Sequence, residues 1–225
     1  MEESFQIKAM FDNIARKYDF LNHLLSFGQD YYWRYAMLKE LLPLKKNSTV
    51  CDLATGTGDS AFVLTKRGYN VTGVDLSLDM LKIAKKKHNK GKFFPISGSA
   101  YTLPFKDETF DAITCSFGIR NMHVTELALK EIFRVIKVGG KAVFLEFSLP
   151  EGTFLKIYRL YMQFLVPNLA RFFSKKDAYV YLWDSIKKFP DPDRFADMLL
   201  KAGFNSVSQK ALSFKTVYIH KAFKL

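Results

Sequence analysis

Val50-Cys51-Asp52-Leu53-Ala54-Thr55-Gly56-Thr57-Gly58-Asp59 has the composition of a short buried strand that runs into a glycine loop. Gly56 and Gly58 permit a tight turn and a close approach of backbone to ligand before a helix begins, so that backbone N–H groups face a bound nucleoside or nucleotide. Seventeen residues after Gly58, the run Val71-Thr72-Gly73-Val74-Asp75 ends a second strand in a carboxylate that could accept both hydroxyls of a ribose. The bland alternative is a helix N-cap at Asp75 or Ser77. Dinucleotide sites use a related loop, and Ala61 stands where their third small residue would fall, so spacing alone does not separate the two. Asp52 tilts the balance. A negative charge inside the strand disfavours a pyrophosphate and suits the cationic amino-acid moiety of S-adenosylmethionine.

The elements that must position these residues follow from hydrophobic period. Apolar residues at Ile7, Met10, Phe11, Ile14, Tyr18 and Leu21 predict an opening amphipathic helix, and a second helix spans Tyr31 to Leu42, stopped by Pro43. Strands are predicted at Thr49–Leu53, Asn70–Val74, Lys92–Ile96, Phe110–Ser116 and Ala142–Phe147. Helices at 60–67, 77–88 and Thr125–Ile136 alternate with them, and Gly139-Gly140 reads as a turn. Such alternation means a parallel sheet covered on both faces. Residues 151–190 break the pattern with ten aromatics, seven Lys/Arg and three Asp/Glu, the composition of an inserted helical cover or of ordinary core helices. The tail resumes with a helix from Asp191-Pro192-Asp193 to Lys201, Gly203 as its stop, and strands at Ser206–Leu212 and Thr216–Phe223. One domain over 1–225 is expected, with a helical cap at 1–45 and the insertion at 151–190.

The chain has 225 residues, 48% of them apolar, enough for one large core. Its 34 Lys+Arg against 22 Asp+Glu give a net charge of +12, which suits anionic lipid, nucleic acid or acidic ligands, or plain solvation. Cys51 and Cys115 lie inside strand runs and read as buried free thiols. His23, His88, His123 and His220 lack ligand spacing, so no metal site is expected. The start Met1-Glu2-Glu3 is acidic where a signal peptide is basic, and the apolar stretch Phe154 to Phe173 carries Lys156, Arg159, Pro167 and Arg171, which argues against a membrane span. A cytoplasmic protein, with contact at the inner face of a membrane left open, is the expectation.

Beyond the glycine loop, several stretches are more specific. They are Tyr18-Asp19-Phe20-Leu21-Asn22, Leu25-Ser26-Phe27-Gly28, Trp33-Arg34, Leu103-Pro104-Phe105, Ser116-Phe117-Gly118-Ile119-Arg120-Asn121, Leu145-Glu146-Phe147-Ser148 and Tyr181-Leu182-Trp183-Asp184. With them the chain resembles, over nearly its whole length, the UbiE/MenG group of quinone-biosynthesis C-methyltransferases. The resemblance implies the class I methyltransferase (Rossmann-like) α/β fold, a seven-stranded mostly parallel sheet whose last strand is antiparallel, with N-terminal helices and a helical insertion covering the substrate. It implies that Thr57 and Asp75 contact S-adenosylmethionine, that Ser99 and Ala100 flank the adenine, and that Ser116 sits beside the cofactor, with Asp52, Gly56 and Gly58 forming the loop. The family usually carries Asp or Asn at Ser99, and a glycine pair where this chain has Leu212-Ser213-Phe214-Lys215, bulk that would narrow the acceptor pocket.

The implied reaction is C-methylation of a prenylated hydroquinone, drawn from a membrane surface, with S-adenosylhomocysteine as co-product. A phenol must lose its proton to activate the ortho carbon. Arg120, just after the fourth strand, would stabilise the phenolate or position a water, or else form a structural ion pair with a helix. Asp19, Tyr18 and Asn22 would grip the quinol oxygens, though Asp19 could equally cap a turn. His123 and His220 read as packed or surface residues rather than bases. In the insertion, Phe154, Tyr158, Tyr161, Phe164, Phe172 and Phe173 could take the isoprenoid tail and Lys175, Lys176, Lys187 and Lys188 lean on headgroups. An RNA methyltransferase lacks support, since no Asn-Pro-Pro-Tyr-like stretch follows the fourth strand, and no nucleic-acid partner is expected. A non-catalytic cofactor-binding platform and a homodimer both stay open.

Overall fold

The computed structural model describes residues 12, 15, 18–88, 91–161 and 177–225. After an opening helical segment, α1, described over 18–25, come α2 (Gln29–Glu40), β1 (Thr49–Leu53), α3 (Asp59–Arg67), β2 (Asn70–Asp75), α4 (Leu78–Lys87) and β3 (Phe93–Ser97). They are followed by β4 (Phe110–Ser116), a single 3-10 turn at Ile119–Asn121, α5 (Thr125–Val135), β5 (Ile136–Phe147), α6 (Gly152–Leu160), α7 (Asp177–Lys188), α8 (Pro192–Lys201), β6 (Ser206–Leu212) and β7 (Val217–Phe223). The sheet order is β3-β2-β1-β4-β5-β7-β6. Only β7 runs against its neighbours, pairing antiparallel with both β5 and β6. The seven-stranded arrangement with an antiparallel last strand is thus the one expected.

Each strand sends alternate side chains to opposite faces, and two cores result. Cys51, Leu53, Ile113, Cys115, Ala142 and Phe144 pack with Ala128, Leu129 and Ile132 of α5 and Phe195 and Leu199 of α8. Val50, Ala112, Val143, Leu145 and Ile219 face the other way, onto Trp33, Met37 and Leu41 of the α2 region and Ala61 and Leu64 of α3. Cys51 and Cys115 are buried and free, as expected. Order reverses between β1 and β4, and the carboxyl ends of those two strands open the crevice where ligands of doubly wound sheets gather. Over that edge, Leu21 and Leu25 of α1 pack with Tyr158, Tyr161, Leu182, Trp183 and Ile186 of the insertion.

Two elements differ from the sequence reading by more than one residue. The Gly139-Gly140 turn lies inside β5, as a wide bulge in which Ile136 pairs with Phe110 but Lys141 with Ala112. A Cβ at Gly140 would fall 2.6 Å from Ile136 Cγ2 and 2.9 Å from the Asp111 carbonyl, so the bulge needs glycine there. Helix α2 starts two residues early, because Gly28 in the left-handed region ends the preceding turn and admits the helix at once. Residues Phe164, Phe172, Phe173, Lys175 and Lys176, assigned to a lipid-facing cover, lie outside the described residues, as does most of the opening helix.

The turn joining β6 to β7 departs from ease in another way: Ser213, Phe214 and Lys215 all have positive φ, at 44°, 56° and 65°. Side chains there cost about 1 kcal/mol each relative to glycine. Phe214 is 79% exposed, so its bulk points away from the cavity instead of narrowing it as the sequence suggested. Among the described residues Lys215 pairs with the exposed Glu151, at 3.3 Å, a contact of little worth in water. Lys215→Gly is therefore expected to stabilise the chain by about 0.5–1 kcal/mol, or roughly 1–4 °C in Tm by calorimetry. A drop in Tm would show that the turn is held by something other than its backbone.

Candidate active site

The glycine loop is shaped from behind. Gly58 caps α3 with φ 85°, where a Cβ would lie 2.9 Å from His88 Nε2 and 3.0 Å from Ala84 Cβ. Thr55 N–H donates to the Val74 carbonyl at 3.1 Å, and Gly56 N–H donates to Asp75 Oδ2 at 2.8 Å, which ties the loop to β2. Asp75 Oδ1 accepts from Ser77 N–H at 2.9 Å. The helix cap proper is Ser77, whose hydroxyl accepts from Met80 N–H, so the carboxylate of Asp75 is not spent on capping. Burial raises its pKa against these two donors.

A cavity of about 850 Å³, counting its open mouth, runs along the carboxyl ends of β1, β2 and β4. Gly56, Asp75, Leu76, Met80, Ser99, Ala100 and Tyr101 line one end, and Tyr18, Ser116, Phe117, Asn121 and Met122 the other. Ser99 accepts from Tyr101 N–H and keeps its own hydrogen to donate. Ser116 accepts from Ser60 Oγ and donates to Met37 Sδ.

Asp52 departs from the expectation that it faces a ligand directly. It is 1% exposed, behind the wall, and accepts from Thr55 Oγ1 at 2.7 Å and Thr114 Oγ1 at 2.8 Å, so it acts by holding the loop. Burial lifts its pKa from 3.8 to about 6, against those two hydroxyls and Arg34. Because the folded value exceeds the unfolded one, the stability tied to the protonated acid is complete below pH 4 and is lost as pH rises through 6. Asp52→Asn, which cannot ionise, should therefore gain on the native protein between pH 4 and 6, by about 2–3 kcal/mol in urea melts. A constant difference across that range would refute the assignment.

Thr57 and Gly58 also stand off the wall. The Thr57 hydroxyl donates to Asp19 of α1, and Ser77 Oγ donates to Asp12, so the opening segment is strapped to both loops of the cavity. Lys87 bridges Asp19 and Asp59. Burial opposes the charge on Asp59, yet Lys87 and Arg34 hold its carboxyl below the ordinary range. His23 Nδ1 lies 2.7 Å from Asp30 and Arg34 2.6 Å from the same carboxylate. His23, Asp30 and Asp59 thus bring ligand atoms within 4.8 Å of one another, a grouping the sequence hid, but Arg34 and Lys87 already bring positive charge to it.

At the β4 end, Tyr18 lines the cavity and Arg120 lies behind it. Arg120 Nη1 donates to Glu146 Oε1 at 2.6 Å and to the Phe117 carbonyl at 2.7 Å, and Nε donates to Ser185 at 3.2 Å. The side chains of the pair are 6% and 1% exposed. The ion-pair reading therefore holds in kind, with a strand β5 partner where a helix was expected. Burial raises the Tyr18 pKa, opposed by Asn22 and by the positive charges of Arg120 and Arg34, so its phenol keeps its proton at neutral pH and serves as a donor. Asn121 accepts from Tyr181 of α7, which fastens the insertion to the cavity rim. Sequence reasoning gave no role to Glu146 or Asn121. An acid inside the apolar run Ala142–Phe147 was the available signal, because a buried charge demands a partner. His220 is packed against Phe195, with burial lowering its pKa to about 4, and His123 is exposed, so neither is placed as a base.

Comparison with known proteins bears on what this arrangement does. The chain is similar to SpnF, a [4+2]-cyclase, with TM-score 0.74 at 16% identity, covering 98% of this chain and 96% of that one. It is also similar to a methyltransferase of Thermotoga maritima described as a possible histamine N-methyltransferase, with TM-score 0.66 at 22% identity, covering 96% and 99%. At such identities these likenesses establish the fold alone. Sequence relatives are closer. Demethylmenaquinone methyltransferase of Streptomyces avermitilis is 41% identical over 99% of this chain and 96% of its own. Ubiquinone/menaquinone biosynthesis C-methyltransferase UbiE of Geotalea daltonii is 38% identical over 96% of each. A model of the ubiE/COQ5 methyltransferase family matches residues 1–224, and the chain belongs to that methyltransferase family.

Proposed function

We propose that this protein methylates a ring carbon of a prenylated hydroquinone, demethylmenaquinol above all, with S-adenosylmethionine as donor. The observation that carries the reading is one cavity of about 850 Å³, counting its open mouth, whose wall holds both Asp75 and Tyr18. The residues fit the donor. Asp75 still has lone pairs for ribose hydroxyls, Leu76, Met80 and Ala100 make an apolar slot for adenine, and the Ser99 hydroxyl can reach its edge. Bound there, S-adenosylmethionine supplies an electrophilic methyl on a sulfonium.

The protein's own part is to prepare the acceptor. A phenol of pKa about 10 must be ionised, and among the described residues no wall residue at the β4 end is a base at neutral pH. Tyr18 donates a hydrogen bond to a quinol oxygen, and the Arg120 charge behind it stabilises the phenolate while the proton passes to solvent. A donor bound there would supply the methyl to the ring carbon, whose hydrogen would leave as a proton as the ring regains aromaticity, and the phenolate oxygen would be reprotonated from solvent, so that one proton is released overall. Among the described residues no helix is long and apolar enough to cross a membrane, which is compatible with a peripheral protein meeting its substrate at the inner face.

Calorimetry with S-adenosylmethionine tests the donor, and transfer of radiolabelled methyl to demethylmenaquinol, demethoxyquinols and bulk tRNA tests the acceptor. Label in demethylmenaquinol is the expected result. Label in tRNA alone, or no binding at millimolar donor, would overturn the proposal.

A further inference from the structure

Helix α2 turns Trp33, Arg34, Ala36, Met37 and Leu38 towards the sheet, and its other side is a row of rings. Tyr31, Tyr32 and Tyr35 are 59%, 58% and 53% exposed, with Lys39 beside them, its ammonium 4.8 Å from the Tyr35 ring centroid. Exposed Leu42 follows the helix, and neighbouring α3 exposes Phe62, with Lys66 at 4.2 Å over its ring and His88 at the end of α4 5.9 Å from it. Single exposed aromatics are ordinary on a soluble protein, whereas a contiguous row marks a surface that meets something.

We infer that this outer face of α2 is the protein's docking surface for an anionic phospholipid bilayer. Tyrosine carries an apolar ring and a polar tip, and lysine buries its stem while its head stays in water, the pair of properties a headgroup zone selects. The acids of the helix are neutralised: Asp30 by Arg34, and Glu40 by Lys210 and Lys221. Lys39 and Lys66 therefore leave the face positive, on a chain of net charge +12. A second copy of the chain would bring positive face against positive face across a two-fold axis, which is repulsive. Single-stranded nucleic acid could stack on the tyrosines, but two lysines are too few to track the run of backbone phosphates that such a site neutralises.

The opposite, inward side of α2 reaches the cavity wall. Trp33 is edge-on to Phe117, a wall residue, with centroids 5.9 Å apart, and its Nε1 donates to Ser213 at the tip of the β6–β7 turn. A bilayer against the outer face of α2 is thus held about 10 Å, one helix diameter, from that wall, within reach of an acceptor that presents its ring while its tail stays in lipid. This last step rests on the prenylated-quinol reading; binding to lipid does not.

The test is flotation of the full chain with vesicles of phosphatidylcholine alone and of phosphatidylcholine with phosphatidylglycerol, for the native protein and for Tyr32→Ser/Tyr35→Ser and Lys39→Glu. The native protein should partition onto the anionic vesicles, and each variant about tenfold less, with S-adenosylmethionine binding and turnover of a short-tailed soluble quinol unchanged. Turnover of a long-tailed quinol in vesicles should fall in parallel. Equal partition of native protein and variants would overturn the inference. So would a native dimer that the variants dissociate, or a preference for oligonucleotide over anionic vesicles. Failure of the native protein to methylate the short-tailed quinol would count against the proposed function instead and leave the vesicle result standing.

Discussion

Asp75→Ala is expected to lower affinity for S-adenosylmethionine by at least about 100-fold while the chain still folds. Two effects combine. The carboxylate holds the glycine loop through Gly56 N–H and the following turn through Ser77 N–H, at 2.8 and 2.9 Å, so its loss loosens the wall that must be preformed. It is also the acidic group on the cavity wall at the β2 end, the place for ribose hydroxyls. Hydrogen bonds to a charged acceptor contribute about 1.5–3 kcal/mol each, and two of them correspond to roughly two to four decades in Kd. Asp75→Asn, which keeps one acceptor oxygen and shape, should fall between, at about tenfold. Calorimetry reads the affinity directly, and thermal melts read it by linkage. Donor at 100 times Kd adds about 2.7 kcal/mol to the native protein and should add almost nothing to the alanine variant. Affinity within threefold of native for Asp75→Ala would remove this residue from the site.

How far the sequence could be read depended on whether a feature is local. Strands β1 and β4 fall where period and β-branched content put them, since a buried parallel strand is written in consecutive residues. Gly139-Gly140 misled because a glycine pair serves a turn and a wide bulge alike, and only the partner strand, through Asp111 and Phe110, decides between them. At the site, Gly56, Asp75, Ser99, Ala100, Ser116 and Tyr18 line the cavity wall. Asp52, Thr57, Gly58, Asp19 and Arg120 lie one layer behind, and that difference is set by tertiary partners: Thr114 for Asp52, α1 for Thr57, Glu146 for Arg120. A residue's type announces that it carries charge or a hydroxyl. Which neighbour uses it depends on contacts across tens of residues, such as the 62 that separate Asp52 from Thr114.

Arg120 is where that distinction matters most, because its structural and chemical roles predict different outcomes for a pair of variants. Arg120→Ala leaves Glu146, 1% exposed, without its cation, and breaking a buried pair costs about 3–5 kcal/mol. At about 2–4 °C per kcal/mol for a chain of this size, Tm should drop by roughly 6–20 °C. Lost activity in that variant alone would therefore say little. Arg120→Met combined with Glu146→Leu removes both charges and keeps apolar volume, and such replacements are commonly neutral or stabilising, so Tm should return to within a few degrees of native. If the guanidinium supports the phenolate through Tyr18, turnover in the double variant should stay at least about 100-fold down, as when one electrostatic group is removed from an active site, with donor affinity unchanged. Arg120→Lys should not restore it, since an ammonium cannot serve Glu146, Phe117 and Ser185 with one planar fork. A double variant that recovers both stability and turnover would make the ion pair a structural strut, and Tyr18 would then have to activate the acceptor without a charge behind it.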